Sequence, residues 1–209
     1  MRVYACMATS LDGKIGPANV QSFVPIGSRH DMEHLIALRD EADGILFGAS
    51  TFRTWPKIHW GKDKNRRVHH FIMSRSLDLD FHADLFQDPL IPITIFRGSQ
   101  KTLQPMPLPD HVEVIAVPDK PGQIATILNH IARLGVQSLL IEGGGNILHR
   151  FIDARALQEL FLTLTPKVIG GFHAPALLGG KPLSAPPAIK VLKSTRVDDE
   201  VYLHLELNY

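Results

Sequence analysis

The sequence predicts an α/β protein in which helices cover a mostly parallel central sheet. Three observations indicate this class: short apolar runs recur along the first two thirds of the chain, helical patterns separate them, and the last third contains longer strand patterns. With 209 residues, the chain has the length of one large domain and can bury a core without a disulfide or a metal. We therefore expect residues 1–209 to form a single domain.

Six apolar runs predict the strands of the parallel part of the sheet. Most of these runs do not alternate with polar residues, which is typical of strands that are buried on both faces. Each run is short and is followed by turn or helix residues, as expected where strands and helices interleave. The predicted strands are residues 3–8, 44–48, 68–73, 93–96, 112–117 and 138–141.

Capping residues predict three helices between these strands. Ser28 can accept hydrogen bonds at the start of a helix that runs to about residue 41, with Asp31 as a capping-box-like partner. Pro121 suits the first turn of a second helix, which runs to residue 134 and ends at Gly135. A third helix is predicted from Gly145 to about residue 154.

The C-terminal third follows a different pattern. Residues 159–168 and 200–207 are long strand patterns, and the second alternates cleanly between apolar and polar side chains. The segment between them is rich in glycine and proline, which is typical of loops, so we expect late antiparallel strands here. Residues 105–110 contain three prolines and predict a stiff connector instead of a domain boundary.

Composition excludes several classes of protein. The chain has 22 Lys and Arg against 21 Asp and Glu, whereas proteins that coat nucleic acids or membrane surfaces need a strong basic bias. We therefore expect neither a nucleic acid nor a membrane as a partner. The sequence shows no signal-peptide pattern and no run of roughly 18 apolar residues, which predicts a cytoplasmic protein. Its single cysteine, Cys6, permits no internal disulfide and no multi-cysteine zinc site, and we expect it in the core.

A glycine-rich bend follows the apolar run SLLI and opens a predicted helix. It has the sequence Glu142-Gly143-Gly144-Gly145-Asn146. Glycines let a backbone approach a ligand closely, and free amides at a helix start favour an anion such as a pyrophosphate. The bend has neither the Gly-Lys-Ser/Thr of a P-loop nor the GxGxxG spacing. A tight turn is the alternative interpretation, but three consecutive glycines favour a ligand site.

Two further motifs also follow apolar strands. The sequence GAST, which begins at Gly48, precedes a short helical stretch, and the hydroxyls of Ser50 and Thr51 could hold a phosphate or a ribose. A plain helix cap is the alternative. Ser74 and Arg75 end the strand HHFIM, where such a pair could bind a monoester phosphate, for example the 2′-phosphate that distinguishes NADP from NAD. For this arginine the alternative is a solvated position on the surface.

Two charged residues lie where they could meet a ligand. Arg39 shares the apolar face of its helix, so it either extends past the edge of the core or pairs with an anion. Lys14 lies in the loop SLDGKIG between Gly13 and Gly16, which suits a mobile lid with one cation. An ordinary surface lysine is the alternative.

One motif matches the residue pattern of a zinc-metallopeptidase signature. The segment from His30 to His34 reads H-x-x-E-H on a predicted helix, with Glu33 as the acid. A catalytic zinc also needs a third protein ligand, and no residue of the sequence stands out as one. We therefore expect two exposed histidines and no metal.

The order of these motifs resembles the dihydrofolate-reductase-like superfamily. The motifs are SLDGKIG after the first strand, a helix that ends in LR, GILFGASTF, SR after a strand, EGGG before a helix, and FLTLTPKVIGG. More closely, the chain is similar to the reductase domain of riboflavin biosynthesis, the C-terminal half of the bifunctional pyrimidine deaminase–reductase. The similarity spans about residues 3–171 and implies a three-layer dihydrofolate-reductase-like fold with a C-terminal antiparallel hairpin.

The resemblance also implies an NADPH-dependent reductase, usually a homodimer, with a small-molecule substrate. In that family a hydride goes to C1 of a ribosylamino side chain in its ring-opened imine form, which gives a ribityl chain. By resemblance, Lys14 and Glu142 would act on the substrate, and Ser22, Phe23 and Arg39 would bind it. The cofactor-binding residues implied in the same way are Ala8, Ile15, Gly16, Gly48, Ser50, Thr51, Ser74, Arg75, Gly143, Gly144, Gly145 and Asn146.

The chain departs from the family's pattern, and other functions stay open. It carries no zinc-deaminase motifs, and the stretch FRTWPKIHWGKDKNRR lacks the family's usual Asp-Asp-Pro and phosphate-binding arginine, which Arg66 or Arg67 replaces only in a general way. A dihydrofolate or pterin reductase needs a carboxylate on the first helix, where the aligned position falls near His34 with Glu33 adjacent. A non-catalytic nucleotide-binding homologue is the third interpretation.

Overall fold

The computed structural model describes residues 1–20, 22–98, 108–119 and 122–209. Within these residues nine strands and four α-helices are found. The strands are β1 (Arg2–Thr9), β2 (Gly44–Gly48), β3 (His69–Ser74), β4 (Ile93–Gly98), β5 (Val112–Val117), β6 (Ser138–Ile141), β7 (Glu159–Leu164), β8 (Ala188–Val197) and β9 (Glu200–Asn208). The helices are α1 (Arg29–Glu41), α2 (Ala49–Thr54), α3 (Gln123–Arg133) and α4 (Gly145–Asp153), with a 3₁₀ turn at Asp84–Phe86.

The strands form one sheet in the order β5-β4-β3-β2-β6-β1-β7-β9-β8. The seven strands from β5 to β7 are parallel, whereas β9 runs antiparallel to both β7 and β8. The predicted mostly parallel sheet with a C-terminal antiparallel hairpin is confirmed. Because parallel strands end at the same edge, the loops that follow β1, β2, β3 and β6 lie together there, which is where ligands bind in open α/β sheets.

Helices cover both faces of the sheet and give three layers. Along β1, Val3, Ala5 and Met7 enter the core cluster that contains residues of α3 and α4. Tyr4 and Cys6 enter the opposite cluster, which contains residues of α1 and α2. Burial on both faces explains why the strands are apolar throughout. Among the described helices the longest has 13 residues, and none has the length and hydropathy of a membrane span.

Helix α1 begins as predicted, but its capping partner differs. The Ser28 hydroxyl oxygen accepts hydrogen bonds from the backbone amides of His30 and Asp31. The reciprocal partner is not Asp31: the Ser28 amide donates to Glu200 Oε1 at 2.7 Å, and the Ser28 hydroxyl donates to Glu200 Oε2 at 2.6 Å. A carboxylate from β9 therefore supplies the capping-box acceptor, and the Asp31 side chain takes no part in this cap.

The other predicted elements differ from the structure mainly at their ends. Pro121 lies outside the described residues, as does part of the predicted connector, residues 105–107. The first described residue before α3 is Gly122, and Gly135, with φ 84°, follows the helix as predicted. Helix α2 begins at Ala49, before the predicted helical stretch.

The C-terminal region contains a strand that the sequence pattern did not predict. Strand β8 lies within the segment that was expected to be loop, and it pairs with β9 along its length. Nearly all of its residues are exposed on both faces, so no alternation between apolar and polar side chains marks it. Strand β7 is also shorter than predicted, because it ends at Leu164.

Candidate active site

The ends of β2 and β6 are joined at the carboxyl edge of the sheet. The Gly48 amide donates to the Gly143 carbonyl at 3.0 Å, which links the GAST motif to the glycine bend. A Cβ built on Gly144 would lie 3.7 Å from Ile15 Cδ1 and 3.8 Å from Thr51 Oγ1. Three residues predicted to bind the cofactor, Gly144, Ile15 and Thr51, therefore surround one small cradle, in which a Cβ on Gly144 would make contacts of ordinary length.

The neighbouring glycines are needed for close packing. Gly143 has φ 87°, and a Cβ there would lie 2.9 Å from the Met7 sulfur. A Cβ on Gly145 would lie only 2.2 Å from the Ala176 carbonyl oxygen. The Gly179 amide also donates to the Gly145 carbonyl at 3.1 Å. The bend is thus covered by the backbone of residues 176–179 on one side and accessible at Gly144 on the other.

Asn146 and Ser50 lie at the starts of the two helices that follow the glycine motifs. Asn146 is exposed, and its amide oxygen would lie 2.5 Å from a Cβ on Gly179, so this side chain faces the covering segment. The Ser50 carbonyl accepts from the Thr54 hydroxyl at 3.4 Å, within helix α2. Both residues are therefore adjacent in the chain to residues of the cradle, Ser50 to Thr51 and Asn146 to the glycine bend.

The loop after β1 is tethered to the C-terminal region. The Asp12 carboxylate accepts from the Ser10 hydroxyl at 2.7 Å and from the backbone amides of Ile169 and Gly170. These hydrogen bonds, with that from Ser10 the strongest influence, lower the pKa of Asp12 to about 2. Lys14 pairs with Ala176 in an isolated bridge, and its Nζ donates to the Ala174 carbonyl at 3.4 Å. The predicted lid loop is held by these contacts.

Residues predicted to border the nicotinamide and the substrate lie around this loop. Ala8 is in register with Thr163 of β7, and a Cβ on Gly16 would meet open space. The Phe23 amide donates to the Thr54 carbonyl, and its ring packs edge-on against Trp55 with centroids 5.2 Å apart. Ser22 is exposed beside Phe23. Trp55 was not among the predicted site residues, and its contact with Phe23 is what brings it to this loop.

Arg39 and Glu142, which were predicted to bind and to act on the substrate, form a buried ion pair with each other. Arg39 Nε and Nη2 donate to the two carboxylate oxygens of Glu142, each at 2.7 Å. The side chains are 9% and 4% exposed. The anion that Arg39 meets in the structure is therefore Glu142, so a residue predicted to bind the substrate is paired with one predicted to act on it. Sequence separation hid this contact, since the partners are 103 positions apart.

His59 completes this cluster and was missed by the sequence analysis. Its Nδ1 lies 2.7 Å from Glu142 Oε2, and its ring stacks on Phe47 at a centroid distance of 4.2 Å. Burial opposes ionisation of Glu142, but the charges and hydrogen bonds of Arg39 and His59 outweigh it and hold the pKa of this carboxyl well below its usual range. Burial lowers the pKa of His59, so a neutral ring donates Nδ1–H to the carboxylate. A lone histidine in a loop carried no signal of this role.

A second cavity, of about 410 Å³, opens at the ends of β3 and β4. Ser74 and Arg75 line it, as a phosphate site at this edge requires. The Ser74 side chain is buried, and its oxygen accepts from the Leu77 amide at 3.1 Å, which leaves its O–H free to donate. The other lining residues include Gly98, Asp119, Gln123 and Arg150, none of which the sequence analysis had assigned to a ligand.

The H-x-x-E-H residues on α1 do not converge. His30 lies 3.6 Å from Asp198, Glu33 pairs with Arg29 near solvent, and His34 packs against the rings of Phe161 and Tyr202. The described part of the chain contains no group of three or more His, Cys, Asp or Glu side chains that could hold a metal ion.

The carboxylate of α1 that points inward is Asp31, not Glu33. Burial raises the pKa of Asp31, and the neighbouring Thr163 hydroxyl acts in the opposite direction. A Cβ on Gly27 would lie 2.1 Å from Asp31 Oδ2, so the chain folds closely over this carboxylate. Because Thr163 is in register with Ala8, Asp31 lies on the side of the sheet edge where the nicotinamide was predicted.

Comparison with known proteins places this geometry in a family. A family model described as the RibD C-terminal domain matches residues 2–203. The 2,5-diamino-6-ribosylamino-4(3H)-pyrimidinone 5′-phosphate reductase of Aquifex aeolicus is 27% identical over 179 residues, which cover 82% of this chain and 80% of that protein. The riboflavin biosynthesis protein PYRR of Arabidopsis thaliana is 26% identical over 82% of this chain, but the match spans only 29% of that longer protein.

A solved structure shows the same fold. The pyrimidine reductase-like protein of Corynebacterium diphtheriae superposes with a TM-score of 0.83 over 100% of this chain and 92% of that one, at 19% identity. The likeness extends over the parallel sheet and the C-terminal hairpin alike, and the dihydrofolate-reductase-like α/β fold predicted from the motif order is confirmed. The family match covers nearly the whole sequence, and this chain therefore belongs to the RibD C-terminal domain family.

Proposed function

We propose that this chain is an NADPH-dependent reductase that converts the ribosyl side chain of a phosphoribosylamino-pyrimidinone, or a close relative, into a ribityl side chain. The observation that carries the proposal is the cradle at Gly144, where Ile15 and Thr51 meet the glycine bend at the carboxyl edge of the sheet. Relatives from Aquifex aeolicus and Methanothermobacter thermautotrophicus are named as reductases of such a pyrimidinone phosphate.

The cradle and the second cavity fit the two ends of a dinucleotide. Gly48 and Gly144 bring backbone close to the central phosphates, with the Thr51 hydroxyl as a donor, and Ile15 forms an apolar wall toward the nicotinamide. Ser74 and Arg75 supply a hydroxyl and a guanidinium for the 2′-phosphate at the adenosine end. When bound, this cofactor supplies the hydride.

The residues around the loop after β1 fit the substrate. Phe23 and Trp55 present aromatic surface to a pyrimidine ring, with the exposed Ser22 hydroxyl beside them. As the hydride adds to C1, the electron pair of the C=N bond moves to nitrogen, which takes a proton. The Lys14 ammonium is our proposed group for orienting the ribose hydroxyls or delivering that proton. Glu142 acts as a buried anion that holds Arg39 and His59 beneath the bend.

A coupled assay tests the function directly. Absorbance at 340 nm should fall when the protein, NADPH and a ring-opened phosphoribosylamino-pyrimidinone are mixed, in the diamino or the deaminated form. Dihydrofolate should give no decay. Replacement of Arg75 by Ala should raise the KM for NADPH far more than the KM for NADH. Tight NADPH binding without turnover of either pyrimidinone would instead indicate a non-catalytic nucleotide-binding homologue.

A pterin or dihydrofolate reductase is the second candidate, and Asp31 is the observation that favours it. This activity needs a carboxylate on the first helix, and Asp31 is half-buried there beside Thr163. Turnover of dihydrofolate that disappears in Asp31→Asn but survives in Glu33→Gln would support it. No turnover of dihydrofolate by the native chain would exclude it.

The proposal also includes a cytoplasmic homodimer. The single cysteine is buried, which is compatible with a reducing compartment. Strand β8 forms an edge of the described sheet and exposes Ile189, Val191 and Leu192 by 51%, 57% and 44%. Exposed apolar edge strands tend to pair with another chain. Light scattering should give twice the 23.2 kDa of one chain, and Val191→Lys should shift the mass to that of a monomer.

A further inference from the structure

Two arginines from separate elements line the cavity at the ends of β3 and β4. Arg75 directly follows β3, and Arg150 lies in the last turn of α4, which begins at the glycine bend. The cavity of about 410 Å³ is large enough for a nucleoside monophosphate group. The arginines therefore approach the same space from two sides, although 75 positions separate them in the sequence.

Arg150 is held in place by a buried side chain. Its Nη2 donates to Gln123 Oε1, and Gln123 Nε2 donates in turn to the Pro118 carbonyl at 2.6 Å. Gln123 is 6% exposed, so it anchors the guanidinium from within the protein. A pre-positioned guanidinium loses little freedom when it binds an anion, and its planar donors match the oxygens of a phosphate.

The charges around the cavity leave an excess of positive charge. Arg75 makes no hydrogen bond or ion pair with any residue that the structure describes. Its positive charge contributes to lowering the pKa of Arg150. Asp119 also lines the cavity, and its negative charge balances the positive charge of one of the two arginines. An anion bound between Arg75 and Arg150 would relieve the repulsion between them.

We infer that Arg150 is a specificity-determining residue that binds the 2′-phosphate of the adenosine end together with Arg75 and Ser74. The inference rests on the proposed function, because it takes this cavity as the adenosine end of the dinucleotide site. A 2′-phosphate monoester carries oxygens enough to meet both guanidinium groups and the Ser74 hydroxyl, whereas a 2′-hydroxyl would leave the guanidinium charges uncompensated. Discrimination between the phosphorylated and unphosphorylated forms thus depends on α4 as well as on β3.

Calorimetric titration with 2′,5′-ADP and with 5′-AMP tests this role without turnover. Arg150→Gln should weaken 2′,5′-ADP by about tenfold to a hundredfold, the range for one charged hydrogen-bonding group, and change 5′-AMP by less than about twofold. Arg150→Lys should recover part of the loss, because it keeps the charge without the planar donors. Arg133→Gln is the matched control, since Arg133 is an exposed arginine in the last turn of the neighbouring helix α3 and does not line the cavity.

Two results would overturn the inference. Unchanged 2′,5′-ADP affinity in Arg150→Gln would show that Arg150 does not contact the phosphate. Equal losses for both ligands would show that Arg150 only supports the fold of the site. The proposed function fails separately: a native chain that binds 2′,5′-ADP through Arg150 but reduces no pyrimidinone keeps the inference and loses the function. If the native chain reduces the pyrimidinone but Arg150→Gln leaves the selectivity between 2′,5′-ADP and 5′-AMP unchanged, the function holds and the inference fails.

Discussion

At the scale of single residues, the Arg39–Glu142–His59 cluster places an ion pair and a histidine ring away from solvent. Removing a carboxylate and a guanidinium from water is unfavourable, and only close, paired hydrogen bonds offset it. Arg39 meets that condition with two contacts of 2.7 Å, and His59 uses a further lone pair of the same carboxylate. Glu142 is the first residue of the glycine bend, so the cluster fixes the position at which the bend begins.

Loss of the Arg39 charge should therefore destabilise the whole protein. We expect Arg39→Met to lower the free energy of unfolding by about 3–5 kcal/mol, because it leaves Glu142 buried without its main partner. Urea unfolding at pH 7 measures this change. Arg29→Met, on the same helix but in an exposed pair with Glu33, should change it by less than about 1 kcal/mol. Equal effects of the two substitutions would contradict the structural role of Arg39.

At the scale of elements, the glycine bend combines two different requirements within two residues. Gly145 packs against the backbone of the segment 176–179, which cannot move aside as a flexible side chain could. Gly144 instead faces the open cradle beside Ile15 and Thr51. One glycine therefore serves packing between elements, and the other leaves room for a ligand.

Alanine at these two positions should separate stability from binding. Gly145→Ala should lower the free energy of unfolding by about 1–3 kcal/mol, the usual effect of overpacking. Gly144→Ala should leave unfolding nearly unchanged, since its contacts would be ordinary ones, but should weaken NADPH by about tenfold or more by filling the cradle. Urea unfolding and NADPH fluorescence titration measure the two effects. Unaltered NADPH affinity in folded Gly144→Ala would argue against a cofactor at this position.

At the scale of the whole molecule, buried histidines tie stability to pH. His70 is 1% exposed; its Nδ1 donates to the Val68 carbonyl at 2.9 Å, and its Nε2 accepts from the His59 amide at 3.1 Å. Burial lowers the pKa of His70 to about 3, with the nearby His59 acting in the same direction. The unfolded chain binds a proton at this residue near pH 6.5, so it holds more protons than the folded chain between these values.

Stability should therefore decrease as the pH falls from about 6.5 toward 3. For His70 alone the expected loss between pH 7 and pH 5 is about 2 kcal/mol. Unfolding curves at these two pH values measure it, and His70→Gln should remove that part of the pH dependence while His82→Gln, at an exposed histidine, should keep it. An identical pH dependence in the native chain and in His70→Gln would show that His70 is not the group responsible.

The sheet and its helices could be predicted because their signals are local. Continuous apolar runs indicate strands buried on both faces, and Ser28 and Gly135 mark helix ends through bonds to residues a few positions away. Motif order was equally readable, and it indicated the family. Strand β8 was not predicted, because both of its faces are exposed and its sequence therefore shows no periodicity that would indicate pairing with β9.

The contacts that define the site depend on residues far apart in the chain, and no local pattern encodes them. Glu200 replaces Asp31 at the cap of α1 from 172 positions away, and Glu142 occupies the guanidinium of Arg39, which was expected to bind the substrate. Arg150 joins Arg75 only because α4 packs beside the ends of β3 and β4. Backbone patterns and motifs report which elements form. The partner of each buried charge follows from how those elements pack, because desolvation leaves a charge stable only where the fold brings it an opposite one.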